Sequence, residues 1–287
     1  MKLAIVTDST AYLSDELIKA YGIHIIPIPF IVNGKQYQEG VDISTSEFYH
    51  LLKTSSTFPS TSQPPLGKVA ALYHELAQAG YDTVLSIHLA STISGFVNNL
   101  QMLAEETKEI KIIPYDSQIT VMLMGSLVLE AAKLAQKGIA LDRIIARLDE
   151  MRQTMNEVFI VNDLQNLVRG GRLSNAGAFV GTMLKIKPLL TFDDQTHKIV
   201  AFDKVRSIKR AYKHTESIFS DALAKVDYPI QAFIIHGDDL SEAQRWQTDL
   251  QQKFPQVSFQ ISYFGPVVGT HLGDKAIALA WIRKYPD

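Results

Sequence analysis

The stretch TVLSIHLASTISG, residues 83–95, carries the reading of the fold. Thr83 to Leu89 is a short, β-rich apolar run. It gives way at once to Ser91-Thr92-Ile93-Ser94-Gly95, hydroxyls and a glycine of the kind that open a helix. The same change from strand to polar helix start occurs in LAIVTDST (3–10) and IKIIPYDS (110–117). Further apolar runs at Ile23 to Val32, Val158 to Val161, Pro188 to Phe192, Ile199 to Phe202, Ala232 to Ile235 and Val257 to Tyr263 alternate with helical patterns. Two of those patterns are long, Ser117 to Gln136 and Leu141 to Met155, with Gly138 as a stop between them. Such alternation predicts an α/β architecture. A seam near residues 156–160 divides the chain into an N-terminal α/β domain, 1–157, and a C-terminal one, 158–287. Asn33-Gly34 reads as a turn between strands, and the Ser/Thr/Pro-rich Thr54 to Pro65 as a linker.

Composition narrows the function by exclusion. A net charge of −2 gives no general attraction to nucleic acid or anionic lipid. The absence of cysteine rules out disulfides, thiolate metal sites and a cysteine nucleophile, and fits a reducing, cytoplasmic setting. The apolar run at the N-terminus is too short for a signal peptide, and no stretch approaches the length of a transmembrane span. The eight histidines are scattered without metal-ligand spacing, so no metal is expected. Neither a P-loop nor a G-x-G-x-x-G is present, so no nucleotide cofactor is expected.

Chemistry therefore has to come from the polar strand ends, where parallel sheets bind ligands. Asp8 and Asp116 read equally as helix caps. Ser91 to Gly95 has more hydroxyls than one cap needs, a glycine that admits a ligand to the backbone, and no cation; that set suits a small anion such as a carboxylate. Thr61-Ser62-Gln63-Pro64 repeats the chemistry. In the second half, Arg169-Gly170-Gly171-Arg172 precedes a helical pattern from Asn175 to Leu184, and a glycine-punctuated turn from Gly265 to Gly273 presents His271. Each also has a plain structural reading: a helix stop, solvated arginines, a packed histidine. Ser94, His271 and either Asp8 or Asp116 complete a serine hydrolase inventory, for a lipid or other ester, but Thr92-Ile93-Ser94-Gly95-Phe96 is not a nucleophile elbow.

Taken in order, Thr7 to Thr10, Thr61 to Pro64, Ser91 to Gly95, Asp116-Ser117, Leu167 to Arg172, Lys187 to Leu190, Arg206 and Gly265 to Gly273 resemble the DegV family across nearly the whole chain. The resemblance implies two α/β lobes with a buried fatty-acid tunnel. It implies a non-catalytic lipid-binding protein that holds a long-chain fatty acid and presents its carboxylate to a separate kinase, as the binding subunit of a bacterial fatty-acid kinase. On this pattern Thr61, Ser94 and His271 hold the carboxylate with Ser62 and Gly95 beside them, and Arg172 and Arg206 serve the phosphate or the kinase. Two positions depart from the family pattern: Phe96, where a threonine commonly follows Ser-Gly, and Gly273-Asp274, where Gly-Pro-Gly usually follows the histidine.

Overall fold

Four short apolar segments pair in parallel to form the first sheet of the computed structural model, which describes residues 2–162, 164–179 and 186–286. The strand order is His24–Ile26, Leu3–Asp8, Thr83–His88, Lys111–Asp116. Every residue of Thr83–His88 is buried, as expected for a central parallel strand covered on both faces. On one face Ala4, Val6 and Val84 pack with Tyr73 and Leu76 of helix Leu66–Gln78 and with Phe96 and Leu100 of helix Phe96–Glu106. The alternate residues Ile5, Leu85 and Ile87 are buried too, and helix Val121–Gln136 covers the same two strands. These elements form one compact unit made of Met1–Ile31, Gln36–Ile43 and Thr61–Gln153.

The second unit comprises Val32–Lys35, Ser44–Ser60 and Thr154–Asp287. Its six-stranded sheet runs Ile199–Val205, Lys187–Phe192, Asn156–Ile160, Ile277–Arg283, Ile230–His236, Ser258–Tyr263. Only the last pair is parallel. Phe219, Trp246 and Leu250, from helices Ile208–Leu223 and Leu240–Lys253, close its core over Ile234, Leu279 and Trp281. A small third sheet has the order Lys35–Gln38, Pro29–Val32, Ser60–Thr61. The α/β class expected from the alternation is what the chain adopts.

Several elements differ from expectation for identifiable reasons. The run from Ile23 to Val32 is two strands, because Pro27 lacks the N–H that a continuous ladder needs. The helix expected from Ser117 begins at Val121, since Ser117 folds its hydroxyl back onto the Ile119 carbonyl at 2.8 Å and makes a turn. Of the pattern Asn175 to Leu184, Ala176–Phe179 is a 3-10 turn and residues 180–184 lie outside the described residues. The first part of the Ser/Thr/Pro segment read as a linker is tied down within the second unit, where the Asn33 side-chain oxygen accepts from Ser55 Oγ at 2.7 Å and Thr57 Oγ1 at 3.2 Å, while Thr61 to Pro65 belong to the first unit. Just before it, helix Thr45–Thr54 opens with a Ser44/Glu47 capping box and buries Phe48 and Tyr49. The Tyr49 hydroxyl donates to the Phe264 carbonyl at 2.9 Å.

Candidate functional site

In the first unit the loop Leu89–Gly95 leaves the carboxyl end of strand Thr83–His88 and is fastened at three points. The Leu89 N–H donates to Asp8 Oδ2 at 3.1 Å, the Ala90 N–H to the Ile119 carbonyl at 2.8 Å, and Ser91 donates through N–H and hydroxyl to the Asp116 carboxylate. It ends at Gly95, the N-cap of helix Phe96–Glu106, which has no side chain to cap the helix; Ser94 Oγ instead accepts the Phe96 N–H at 3.3 Å. Thr61 ends the short strand Ser60–Thr61, and the Ser62 N–H donates to the Pro29 carbonyl at 3.1 Å.

Gln63 joins these two segments. A Cβ on Gly95 would lie 2.6 Å from Gln63 Nε2, so only glycine admits the amide at this distance. On its other side Gln63 Oε1 accepts from Asn99 Nδ2. Thr61-Ser62 and Ser94-Gly95 are thus brought to one region of this unit, hydroxyl-rich and without a lysine or arginine in either segment. Hydroxyl and backbone N–H donors in that setting suit a carboxylate. Gln63 was not among the residues picked out from sequence as ligands, and its only signal was its place between Ser62 and Pro64.

In the second unit His271 lies on helix Pro266–Leu272 and is wedged against the turn after helix Gln165–Arg169. A Cβ on Gly170 would stand 2.5 Å from His271 Nδ1 and 3.0 Å from the Asn166 carbonyl oxygen. The Arg172 guanidinium donates to the Gly170 carbonyl. Burial, and then the Arg172 charge, push the imidazole down to about 3, so His271 is neutral at physiological pH and acts as a hydrogen-bonding group. Burial also lowers Arg172 below its ordinary value. Beside these residues is an open pocket of about 230 Å³, whose walls include Lys53, Phe58, Asn166 and Asp274. Lys53 is ion-paired with Asp238 at 2.6 Å, and Arg169 stacks on the Phe58 ring at 3.7 Å. Arg206 stands apart from Arg172 in the chain, exposed in the turn between strand Ile199–Val205 and helix Ile208–Leu223.

The two departures from the family pattern have separate settings. Phe96 is fully buried, its ring 4.7 Å from that of His88, and so belongs to the core of the first unit. Asp274 borders the pocket, with its carbonyl accepting from Asn162 Nδ2 at 3.0 Å.

The hydrolase assignment is not supported. Asp8 already accepts from the Thr10 N–H and hydroxyl, the Leu89 N–H and His88 Nδ1. Asp116 accepts from Ser91 and from the Gln118 N–H at 2.8 Å, as a cap would. The histidine that Asp8 orients is His88, and the serine beyond it is Ser86, both fully buried. Among the described residues no helix is long and apolar enough to cross a membrane, and no cluster of metal-ligating side chains occurs.

A family model described as "Uncharacterised protein, DegV family" matches residues 2–284. A DegV domain-containing protein of Listeria monocytogenes is 43% identical over 283 residues, covering 99% of both chains. The crystal structure of DegV from Bacillus subtilis, described as a fatty acid binding protein, superposes with a TM-score of 0.90 at 40% identity, over 99% of this chain and 100% of that one. A fatty acid binding DegV family protein from Streptococcus agalactiae gives a TM-score of 0.90 at 36% identity with the same coverage.

Proposed function

This chain belongs to the DegV family, and from that premise we propose that it binds a long-chain fatty acid and presents the carboxylate to a separate ATP-dependent kinase, which makes the acyl phosphate. The observation that carries the reading is the full-length likeness, at 40% and 36% identity, to two solved proteins described as fatty acid binding. The hydroxyl and amide donors of Thr61, Ser62, Ser94 and Gly95 supply the headgroup chemistry, and the family pattern adds the neutral imidazole of His271. Arg172 and Arg206 serve the phosphate or the kinase, a role that suits a guanidinium because it pairs bidentately with phosphate and carboxylate.

The energetics divide the task. Burying about 16 carbons yields roughly 10 kcal/mol gross at about 0.8 kcal/mol per methylene, before association costs. Hydrogen bonds to the carboxylate contribute about 1.5–3 kcal/mol each. The acyl chain therefore provides affinity, and the polar residues decide which end faces outward.

Organic extraction of the purified, denatured protein followed by mass spectrometry tests the binding. A long-chain fatty acid at near one equivalent is expected. Absence of fatty acid, together with failure to take up added palmitic acid, overturns the reading. Presentation is tested by supplying the host's kinase with ATP and Mg²⁺ and trapping the acyl phosphate with hydroxylamine. A loaded protein that yields no hydroxamate is a carrier without the kinase role.

A further inference from the structure

The first unit contains a line of buried hydrogen bonds that carboxylate binding by itself does not use. The Tyr73 hydroxyl is 2.7 Å from Ser86 Oγ, which is 2.7 Å from His88 Nε2, and His88 Nδ1 is 2.9 Å from Asp8 Oδ2. Asp8 continues the line to the Leu89 N–H and to Thr10, whose hydroxyl oxygen accepts from Thr120 Oγ1 at 3.0 Å. Tyr73, Ser86, His88, Asp8 and Thr10 are all 0% exposed. Only one arrangement of protons satisfies every donor in the line. The Tyr73 O–H donates to Ser86, the Ser86 O–H donates to His88 Nε2, and the His88 Nδ1–H donates to the Asp8 carboxylate. Burial raises the phenol to about 12, which keeps it a donor.

The two ends of this line are what give it a meaning. Tyr73 lies on helix Leu66–Gln78, which begins directly after Thr61-Ser62-Gln63-Pro64-Pro65. Leu89 starts the loop that carries Ser94 and Gly95. Buried polar networks of this kind are poor sources of net stability, since apolar residues of similar volume serve as well or better; what they supply is direction and spacing. We infer that Tyr73, Ser86, His88 and Asp8 are positioning residues that fix the spacing of the two donor segments, and so set the preference for a carboxylate over an uncharged headgroup on the same chain. This rests on the fatty-acid reading above.

The test compares palmitic acid with 1-hexadecanol, binding each to delipidated full-length protein as wild type, Ser86→Ala, Tyr73→Phe and the double variant, with thermal midpoints measured alongside. The acid-to-alcohol affinity ratio is expected to fall roughly three- to tenfold in each single variant, the scale of one well-placed hydrogen bond. Alcohol affinity should stay near the wild-type value. The double variant should lose no more than the worse single one, because both cut the same line. An unchanged ratio in both single variants, or acid and alcohol affinities falling together, overturns the inference. Tyr73→Phe removes one atom and keeps the test decisive if Ser86→Ala folds poorly. A wild-type protein that binds neither ligand, or prefers the alcohol, sinks the fatty-acid reading itself and is thereby distinguishable.

Discussion

The donor loop of the first unit and the histidine of the second differ in how tightly their surroundings close on a neighbouring glycine. Leu89–Gly95 hangs from carboxylates, through Asp8 and Asp116. His271 is packed closely against Gly170, where an added Cβ would lie 2.5 Å from the ring nitrogen and 3.0 Å from the Asn166 carbonyl oxygen. Each arrangement also depends on a glycine with ordinary backbone angles, φ −73° at Gly95 and −70° at Gly170, so the neighbours alone decide what a methyl group costs there. At Gly95 the neighbour is the side-chain amide of the exposed Gln63, held by a bond from Asn99 but flexible enough to swing aside. At Gly170 it is a packed ring with a backbone oxygen behind it. The loop is therefore sensitive to loss of a carboxylate, and the His271 neighbourhood to added volume at Gly170.

The largest effect should come from the polar side. Asp8→Ala leaves the Thr10, His88 and Leu89 donors unmet in the interior and should lower unfolding free energy by about 3–5 kcal/mol in urea titration. A loss below about 1 kcal/mol would mean the loop does not hang from this carboxylate. Next, Gly170→Ala should cost about 1–3 kcal/mol, with the imidazole displaced in a crystal structure of the variant.

The third effect depends on pH. The His271 imidazole is depressed from 6.5 to about 3, so its contribution is fully present above pH 6.5 and lost as pH falls toward 3. Between pH 7 and pH 5 the wild type should lose about 1 kcal/mol relative to His271→Gln, allowing for partial solvent screening. Glu157 supplies the contrasting sign within the same unit. Burial raises its carboxyl to about 7, so its contribution is present below pH 4.5 and lost as pH rises through 7; the Glu157→Gln variant should therefore gain on the wild type toward alkaline pH. Thermal midpoints of the three proteins across this range would expose either sign if wrong. The smallest effect is expected at Gly95→Ala, a few tenths of a kcal/mol by the same measurement. A loss there as large as at Gly170 would erase the distinction between the two scaffolds.

What could be read from sequence was mostly what repeats. The strand-to-polar change at residues 3–10, 83–95 and 110–117 marks three adjacent strands of one parallel sheet. The C-terminal strand Ile277–Arg283, paired on both sides, is not among the strands that the sequence pattern predicts. Its alanine-rich run IALAWI reads as readily as a helix, and only its neighbours settle the matter. His88 was hidden inside an apolar run, and its role exists only because Asp8, 80 residues earlier, ends the adjacent strand. Asp8 read as a cap is correct as far as it goes, since its side chain accepts the Thr10 N–H. The cap reading accounts for one oxygen of that carboxylate, and the fold uses the other.

The bond from the Tyr49 hydroxyl to the Phe264 carbonyl spans 215 residues, and helix Thr45–Thr54 belongs to the unit whose sheet begins only at Asn156. A ribosome adding about 5–20 residues per second needs roughly 10–40 s to cover that separation. During that interval Phe48 and Tyr49, both fully buried in the finished protein, precede the C-terminal segments they pack against. The nascent chain thus carries an early aromatic pair whose partners at residues 264–269 are among the last to be made, and a fragment lacking them would leave Phe48 and Tyr49 without those contacts.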